Sequence, residues 1–381
     1  MPSFRDEFVL DPSVVFLNHG SFGACPRPVL EHYQQWQREL ERQPVEFIAR
    51  RLAGLLDEAR ARLADEVHAD PASLAFVANA TTGVNVAARA LDLQPGDEVL
   101  TTDVEYGACN LAWERACADR GARYVRAEIA LPLERPEEVV DALFSARTER
   151  TRVVFVSHVT SETALRLPVE AIVARARGEG LVSVVDGAHG PGHVPLDVAA
   201  LGADFYAGNC HKWLCSPKGS GFLAVSERFR EAVDGAIVSW GYDDGGSFPA
   251  RLEKQGTRDP SAFLTVPAAI DWLAANDWDS VRARCRELTR TARSRLAELG
   301  LEPLASEDLL GQMVSMRLPH STDADGLKMR LYDEHRIEVP VLARDDGRPL
   351  LRVSIQAYND ETDIEKLSAA LARELDPEHG Q

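Results

Sequence analysis

The chain has 381 residues, 45% of them hydrophobic, which can bury a large core and is long for one compact unit, so two domains are expected. A formal charge of -18 and an isoelectric point near 5.0 leave no basic footprint for nucleic acid or an anionic membrane. The opening residues have neither a basic start nor a long apolar run, and no later segment is apolar for long enough to span a bilayer, so a cytoplasmic protein with a small-molecule partner is expected.

After an extended start, residues 16–23 read as a glycine-bearing loop, and Pro28 opens an amphipathic helix to about residue 40. A second helix follows over about 45–66. Residues 73–79 read as a strand, 80–83 as a turn and 84–90 as a helix. Such a junction offers unpaired backbone N–H groups at a positive dipole end, which suits a phosphate, although a threonine there is also an ordinary helix cap, its commoner role. Strands at 98–102, 124–127 and 153–157 then alternate with helices from about 108, over 137–145 and over 169–179, leading to a strand that ends at Asp186. That alternation means βαβ units, right-handed crossovers and a mainly parallel sheet, whose ligands sit at the carboxyl ends of its strands. Past Ser226 the alternation stops. Residues 240–255, rich in Gly, Asp and aromatics, read as a functional loop, followed by helices over 262–275 and 280–299, the second stopped by Gly300. Strands at 313–317 and 351–355 with a helix over 361–375 complete a small α+β unit.

The chemistry concentrates in two neighbouring strand ends. One run, Ser183 to His189, delivers Asp186; the other, Ala203 to Trp213, delivers Lys212. A carboxylate able to keep a pyridine nitrogen protonated, beside a lysine able to form a Schiff base, is the pair a pyridoxal phosphate (PLP) enzyme needs. Lysine is scarce here, limited to Lys212, Lys218, Lys254, Lys328 and Lys366, so one at an apolar strand end stands out. Against this stands the plainer reading of an Asp capping a turn and a solvated Lys. The six cysteines, Cys25, Cys109, Cys117, Cys210, Cys215 and Cys285, have no CxxC pair or framework spacing and read as reduced thiols packed as small hydrophobes. His189, His193 and His211 lack an HExxH context for a metal, and Gly219-Ser220-Gly221 is no P-loop because Lys218 precedes the glycines.

The segments Asp186-Gly187-Ala188-His189-Gly190 and Gly208-Asn209-Cys210-His211-Lys212-Trp213-Leu214, running on to Lys218-Gly219-Ser220-Gly221, resemble the class V aminotransferase family, most closely its isopenicillin N epimerase-like branch. The resemblance extends along nearly the whole chain. It implies a PLP-dependent, aspartate-aminotransferase-type α/β fold: an N-terminal segment, 1–20, contributing to the substrate pocket; a large PLP-binding domain, 21–258, with a doubly wound sheet; and a small C-terminal domain, 259–381. It implies Lys212 and Asp186 as catalytic residues and a phosphate held by Thr81, Thr82 and His211, with Asn209 at the same edge. Tyr106 falls where relatives carry a ring-stacking His, and Ser161 and His189 fall where they contact the phenolic oxygen or its neighbours. Thr257 of Gly256-Thr257-Arg258 is implied to reach the partner's phosphate across a homodimer interface. Asn18, His19 and Gly20 are candidate substrate contacts, and Arg352 resembles the arginine that binds the substrate carboxylate, for which a planar guanidinium is suited. The reaction expected is epimerisation at the Cα of an amino acid. β-Elimination by a carbon–sulfur lyase, transamination, and a PLP-fold binding protein without catalysis are the alternatives.

Overall fold

The computed structural model describes residues 4–243, 246–320, 322–344 and 347–376; residues 244 and 245 of the predicted 240–255 loop lie outside it. Its strands are β1 (Val15–Phe16), β2 (Leu74–Val77), β3 (Glu98–Thr102), β4 (Arg123–Ala127), β5 (Thr151–Ser157), β6 (Val182–Gly187), β7 (Phe205–Asn209), β8 (Gly221–Val225), β9 (Glu302–Pro303), β10 (Met313–Arg317), β11 (Ile337–Glu338), β12 (Val341–Leu342) and β13 (Leu350–Ser354). The large sheet has the order β2-β8-β7-β6-β5-β3-β4. Pairings from β4 through β7 are parallel, and β8 runs antiparallel to both β7 and β2.

The strands are continuous apolar runs because both faces of the sheet are covered. In β5, Val153 and Phe155 pack into one core cluster while Val154 and Val156 pack into another, as the two-residue period of a strand requires. The smaller sheet, β12-β13-β10-β9, is antiparallel and lies with the helices Trp278–Glu298 and Glu361–Glu374. The N-terminal segment is tied to this part of the chain: β1 pairs in parallel with β11, and the Ser354 N–H donates to the Leu17 carbonyl at 2.9 Å. The boundary read at residue 259 precedes Phe263, which stacks on Phe76 of β2 with centroids 5.0 Å apart. Among the described residues, no helix is long and apolar enough to cross a membrane.

Five local expectations change, one being the loop read at 240–255, which contains the short helix Phe248–Glu253. The turn read at 80–83 is the first turn of the helix Ala80–Ala90, because the Asn79 side chain caps it by accepting the Thr82 N–H at 2.9 Å. The loop read at 16–23 contains the short helix His19–Phe22. The helix read at 262–275 is two, Ser261–Leu264 and Val266–Ala275, the second with Pro267 in its first turn, where a missing N–H costs nothing. The run leading to Lys212 leaves the sheet at Asn209, so the lysine lies on the connection from β7 to β8, a strand the sequence reading did not mark.

Candidate active site

A cavity of about 390 Å³ opens at the carboxyl ends of β5, β6 and β7. Its wall includes Thr81, Tyr106, Ser161, Asp186, His189, Asn209, His211, Lys212 and Arg352, nine of the residues the sequence singled out. A larger hollow of about 590 Å³ by His68 and Asp197 has no lysine or other amine in its wall, so volume alone does not select the site.

Asp186 is the penultimate residue of β6 and is buried. Its Oδ1 accepts the Ala188 N–H at 2.9 Å and its Oδ2 accepts the Cys109 thiol at 3.2 Å. Burial pushes the Asp186 carboxyl above its ordinary range, against the pull of those two donors and of Lys212. Lys212 is reached by a connection held shut at its base, where the Cys210 N–H donates to the Ser220 carbonyl at 3.0 Å. Burial pulls the Lys212 amine down to about 8, and the nearby Arg352 acts in the same direction. The Nζ lies 3.0 Å from Nε2 of His189. The N-terminal segment presses on this connection through Gly23. Its φ of 71° and ψ of 165° belong to a region open essentially to glycine alone, and a Cβ there would lie 2.1 Å from the His211 carbonyl oxygen and 2.9 Å from the Lys212 Cα.

At the phosphate end, Thr81 stands in the first turn of the Ala80–Ala90 helix, where backbone N–H groups lack intrahelical partners. Asn209 secures that turn by accepting the Ala80 N–H at 2.8 Å. Thr82 is turned away: its hydroxyl donates to Asn79 at 3.1 Å, and it is not in the cavity wall. His211 donates from Nδ1 to the Ser220 carbonyl at 3.1 Å, which leaves Nε2 as the atom available to a ligand. Thr257 is exposed and also absent from this wall.

Arg352 is buried on β13, with Nη1 donating to the Ser161 carbonyl at 2.6 Å and Nη2 to Ser21 Oγ at 2.8 Å and Asn18 Oδ1 at 3.1 Å. Its Nε finds no partner, and no ion pair to it occurs among the described residues. Burial pulls this guanidinium down to about 10. A buried cation satisfied only by neutral oxygens is a receptor for an anion.

The expected substrate contacts at Asn18, His19 and Gly20 are placed behind the wall. Asn18 orients Arg352 and donates to Glu338 at 2.9 Å. His19 is fully buried, with Nε2 donating to the Lys212 carbonyl at 3.0 Å and Nδ1 3.0 Å from the Tyr358 hydroxyl. A Cβ on Gly20 would meet Met313 Sδ at 2.6 Å, so this glycine serves packing. Ser21 and Phe22, the next two residues, line the cavity instead. Sequence reasoning also passed over Cys109 and Glu105. The Glu105 carboxylate accepts the Thr102 hydroxyl at 2.7 Å and the Ser157 N–H at 2.8 Å, and burial pushes it up to about 7.

This donor set fits PLP: a buried carboxylate without a cationic partner, a buried amine of lowered basicity, a helix N-terminus and an unpaired buried guanidinium share one cavity. The sequence model of the aminotransferase class-V family matches residues 20–367. The isopenicillin N epimerase of Amycolatopsis lactamdurans is 43% identical over 96% of both chains, and that of Streptomyces clavuligerus 38% over 96% of both. A putative L-cysteine desulfhydrase of Oryza sativa subsp. japonica is 31% identical over 95% of this chain and 83% of its own length. Among solved structures, a mutant of the enzyme C-DES with glycine covalently linked to its PLP cofactor superposes with a TM-score of 0.84 at 25% identity, covering 98% of this chain and 99% of that one.

Proposed function

Because the chain belongs to the class V aminotransferase family and is a PLP-dependent enzyme, we propose that it inverts the Cα of an amino-acid substrate in the manner of an isopenicillin N epimerase. The observation that carries this reading is the 43% identity to such an epimerase across 96% of both chains, with no part of the site left outside the aligned length. When bound, PLP supplies the electron sink that makes a Cα proton removable. Asp186 and Ala188 are the residues that would hold its ring, and Thr81, Asn209 and His211 those at its phosphate. Asp186 would keep the ring nitrogen protonated; at contact distance such an attraction would amount to several kcal/mol before desolvation, enough to hold a proton there. Arg352 takes the substrate carboxylate in place of its neutral oxygen partners. Lys212, its basicity lowered to about 8 by burial so that a usable fraction is unprotonated near neutral pH, takes the proton from Cα. Inversion then requires a proton from the opposite side.

The desulfhydrase among the relatives favours β-elimination as the second reading. We also read the protein as a homodimer, since Thr257 is exposed and does not line its own cavity, while the aromatic wall residues Phe22 and Tyr106 are 72% and 42% exposed in the single chain. Holoenzyme incubated in D₂O with isopenicillin N and a panel of amino acids and S-conjugates tests the reaction. Deuterium at Cα with both configurations in the product is the expected result. A keto acid, or release of a sulfur fragment with ammonia, would replace epimerisation by transamination or elimination.

A further inference from the structure

We infer that Trp213 is a positioning residue: its indole N–H fixes His189 as the tautomer protonated at Nε2, so the imidazole presents an N–H to whatever atom stands where Lys212 Nζ stands. The indole nitrogen can only donate, and it lies 3.1 Å from His189 Nδ1. Nδ1 is therefore an acceptor, the imidazolium is excluded, and the single ring proton of His189 must be on Nε2. That atom is 3.0 Å from Lys212 Nζ, so an ammonium there would oppose N–H to N–H, whereas a neutral amine accepts.

The indole is held in place from several sides. Trp213 is fully buried and stacks on His193 with centroids 4.1 Å apart and an 18° interplanar angle, and His19 packs on it at 4.9 Å. His193 is itself fixed, donating from Nδ1 to the His189 carbonyl at 3.0 Å and accepting the Gln312 N–H at 2.6 Å. The charged or titratable groups facing Lys212 are His189 and Asp186 from the end of β6, Arg352 from β13, Cys109 from the helix Gly107–Arg120, His19 from the helix His19–Phe22 and the adjacent His211. Only His189 lies within hydrogen-bond distance of the Nζ among the described residues, so its tautomer decides which protonation state of the lysine is matched.

The tautomer itself does not depend on the proposed reaction; its consequence for Lys212 rests on that reading. The test uses the full chain with ¹⁵N-labelled histidine, as holoenzyme and after removal of the cofactor, with His189→Gln identifying the resonance. Nitrogen–proton correlation should show His189 protonated at Nε2 and bare at Nδ1 in both forms. Trp213→Phe keeps an aromatic ring against His193 but has no N–H. It should show the second tautomer, and in the cofactor-free chain the pH midpoint for acylation of Lys212 should rise by about one unit, because a bare Nε2 accepts from the ammonium. A proton on Nδ1 in the wild type overturns the inference without any variant, as does a Trp213→Phe protein with the tautomer and midpoint unchanged. If Lys212→Ala kept the cofactor's absorbance, the site assignment would fail while the tautomer result stood.

Discussion

Gly23→Ala is a severe small change placed directly against the Lys212 connection. At φ 71° and ψ 165° an alanine carries strain of about 1–3 kcal/mol. Its Cβ would also sit 2.1 Å from the carbonyl oxygen of His211 and 2.9 Å from the Cα of Lys212, both backbone atoms with no rotamer to escape into. Overpacking of that kind costs roughly 1–3 kcal/mol more, giving a loss of about 2–6 kcal/mol. Relief requires the N-terminal segment or the Lys212 connection to move, and misplacing a reacting group by an ångström costs on the order of 100-fold in rate. Gly54→Ala is the control: that glycine is exposed within the helix Leu52–Val67, and nothing lies within 4 Å of its added Cβ. It should stabilise by roughly 0.5–1 kcal/mol. Denaturant unfolding and turnover at saturating substrate measure both effects. A Gly23→Ala enzyme that melts and turns over like the wild type would refute the close-packing argument, and a Gly54→Ala enzyme damaged as badly would show that the contacts at Gly23 were not the cause.

Lys212→Ala should abolish turnover and the cofactor band of the holoenzyme while leaving the far-ultraviolet dichroism unchanged; retained turnover would remove the lysine from the chemistry. Asp186→Ala should weaken PLP binding and slow Cα deuterium exchange by at least about 100-fold, as expected when a preorganised charge is lost, and wild-type exchange would place the ring nitrogen's partner elsewhere. Glu105 is pushed from 4.5 to about 7 by burial, so it favours the fold while protonated, fully below pH 4.5, and that contribution is lost as pH rises through 7. Relative to wild type, Glu105→Gln should therefore gain about 3 kcal/mol between pH 4.5 and about pH 8 in urea melts; a pH-independent difference would contradict the raised value. Incubation with L-cysteine should leave no stoichiometric protein persulfide by intact mass, since Cys285 is buried within the helix Trp278–Glu298 and Cys210 and Cys215 are fully buried, their thiols pushed above the usual range.

The sheet was legible because buried parallel strands write themselves as apolar runs. The strand at 98–102 was read with the bounds it has, and the one ending at Asp186 overran its mark by a single residue. Asp186 and Lys212 were legible because charge at the end of such a run is rarely left there by packing alone. The second strand end was read too far, since nothing local in Cys210-His211-Lys212-Trp213 marks that the backbone has already left the sheet at Asn209. The Ala80–Ala90 helix began earlier than the sequence marked because Thr81, Thr82 and Gly83 have turn chemistry of their own, and only the Asn79 cap decides the matter.

What stayed illegible is whatever depends on two segments meeting. Nothing local distinguishes Asn18 and His19, which brace Arg352 and the Lys212 carbonyl, from Ser21 and Phe22, which reach the cavity; the short helix His19–Phe22 turns successive side chains by about 100° each and so divides one motif between support and wall. Cys109 reads as a core residue of its helix, which it also is, yet its thiol ends on the Asp186 carboxylate from a helix 77 positions earlier. The same applies at Arg352, whose partners Asn18 and Ser161 are 334 and 191 positions away. A buried guanidinium needs oxygens around it, and these come from distant chain segments because β13 offers its neighbours hydrogen bonds only along its own ladder. The sequence can therefore announce that an arginine waits for a carboxylate, while the groups that hold it ready are defined only by the fold.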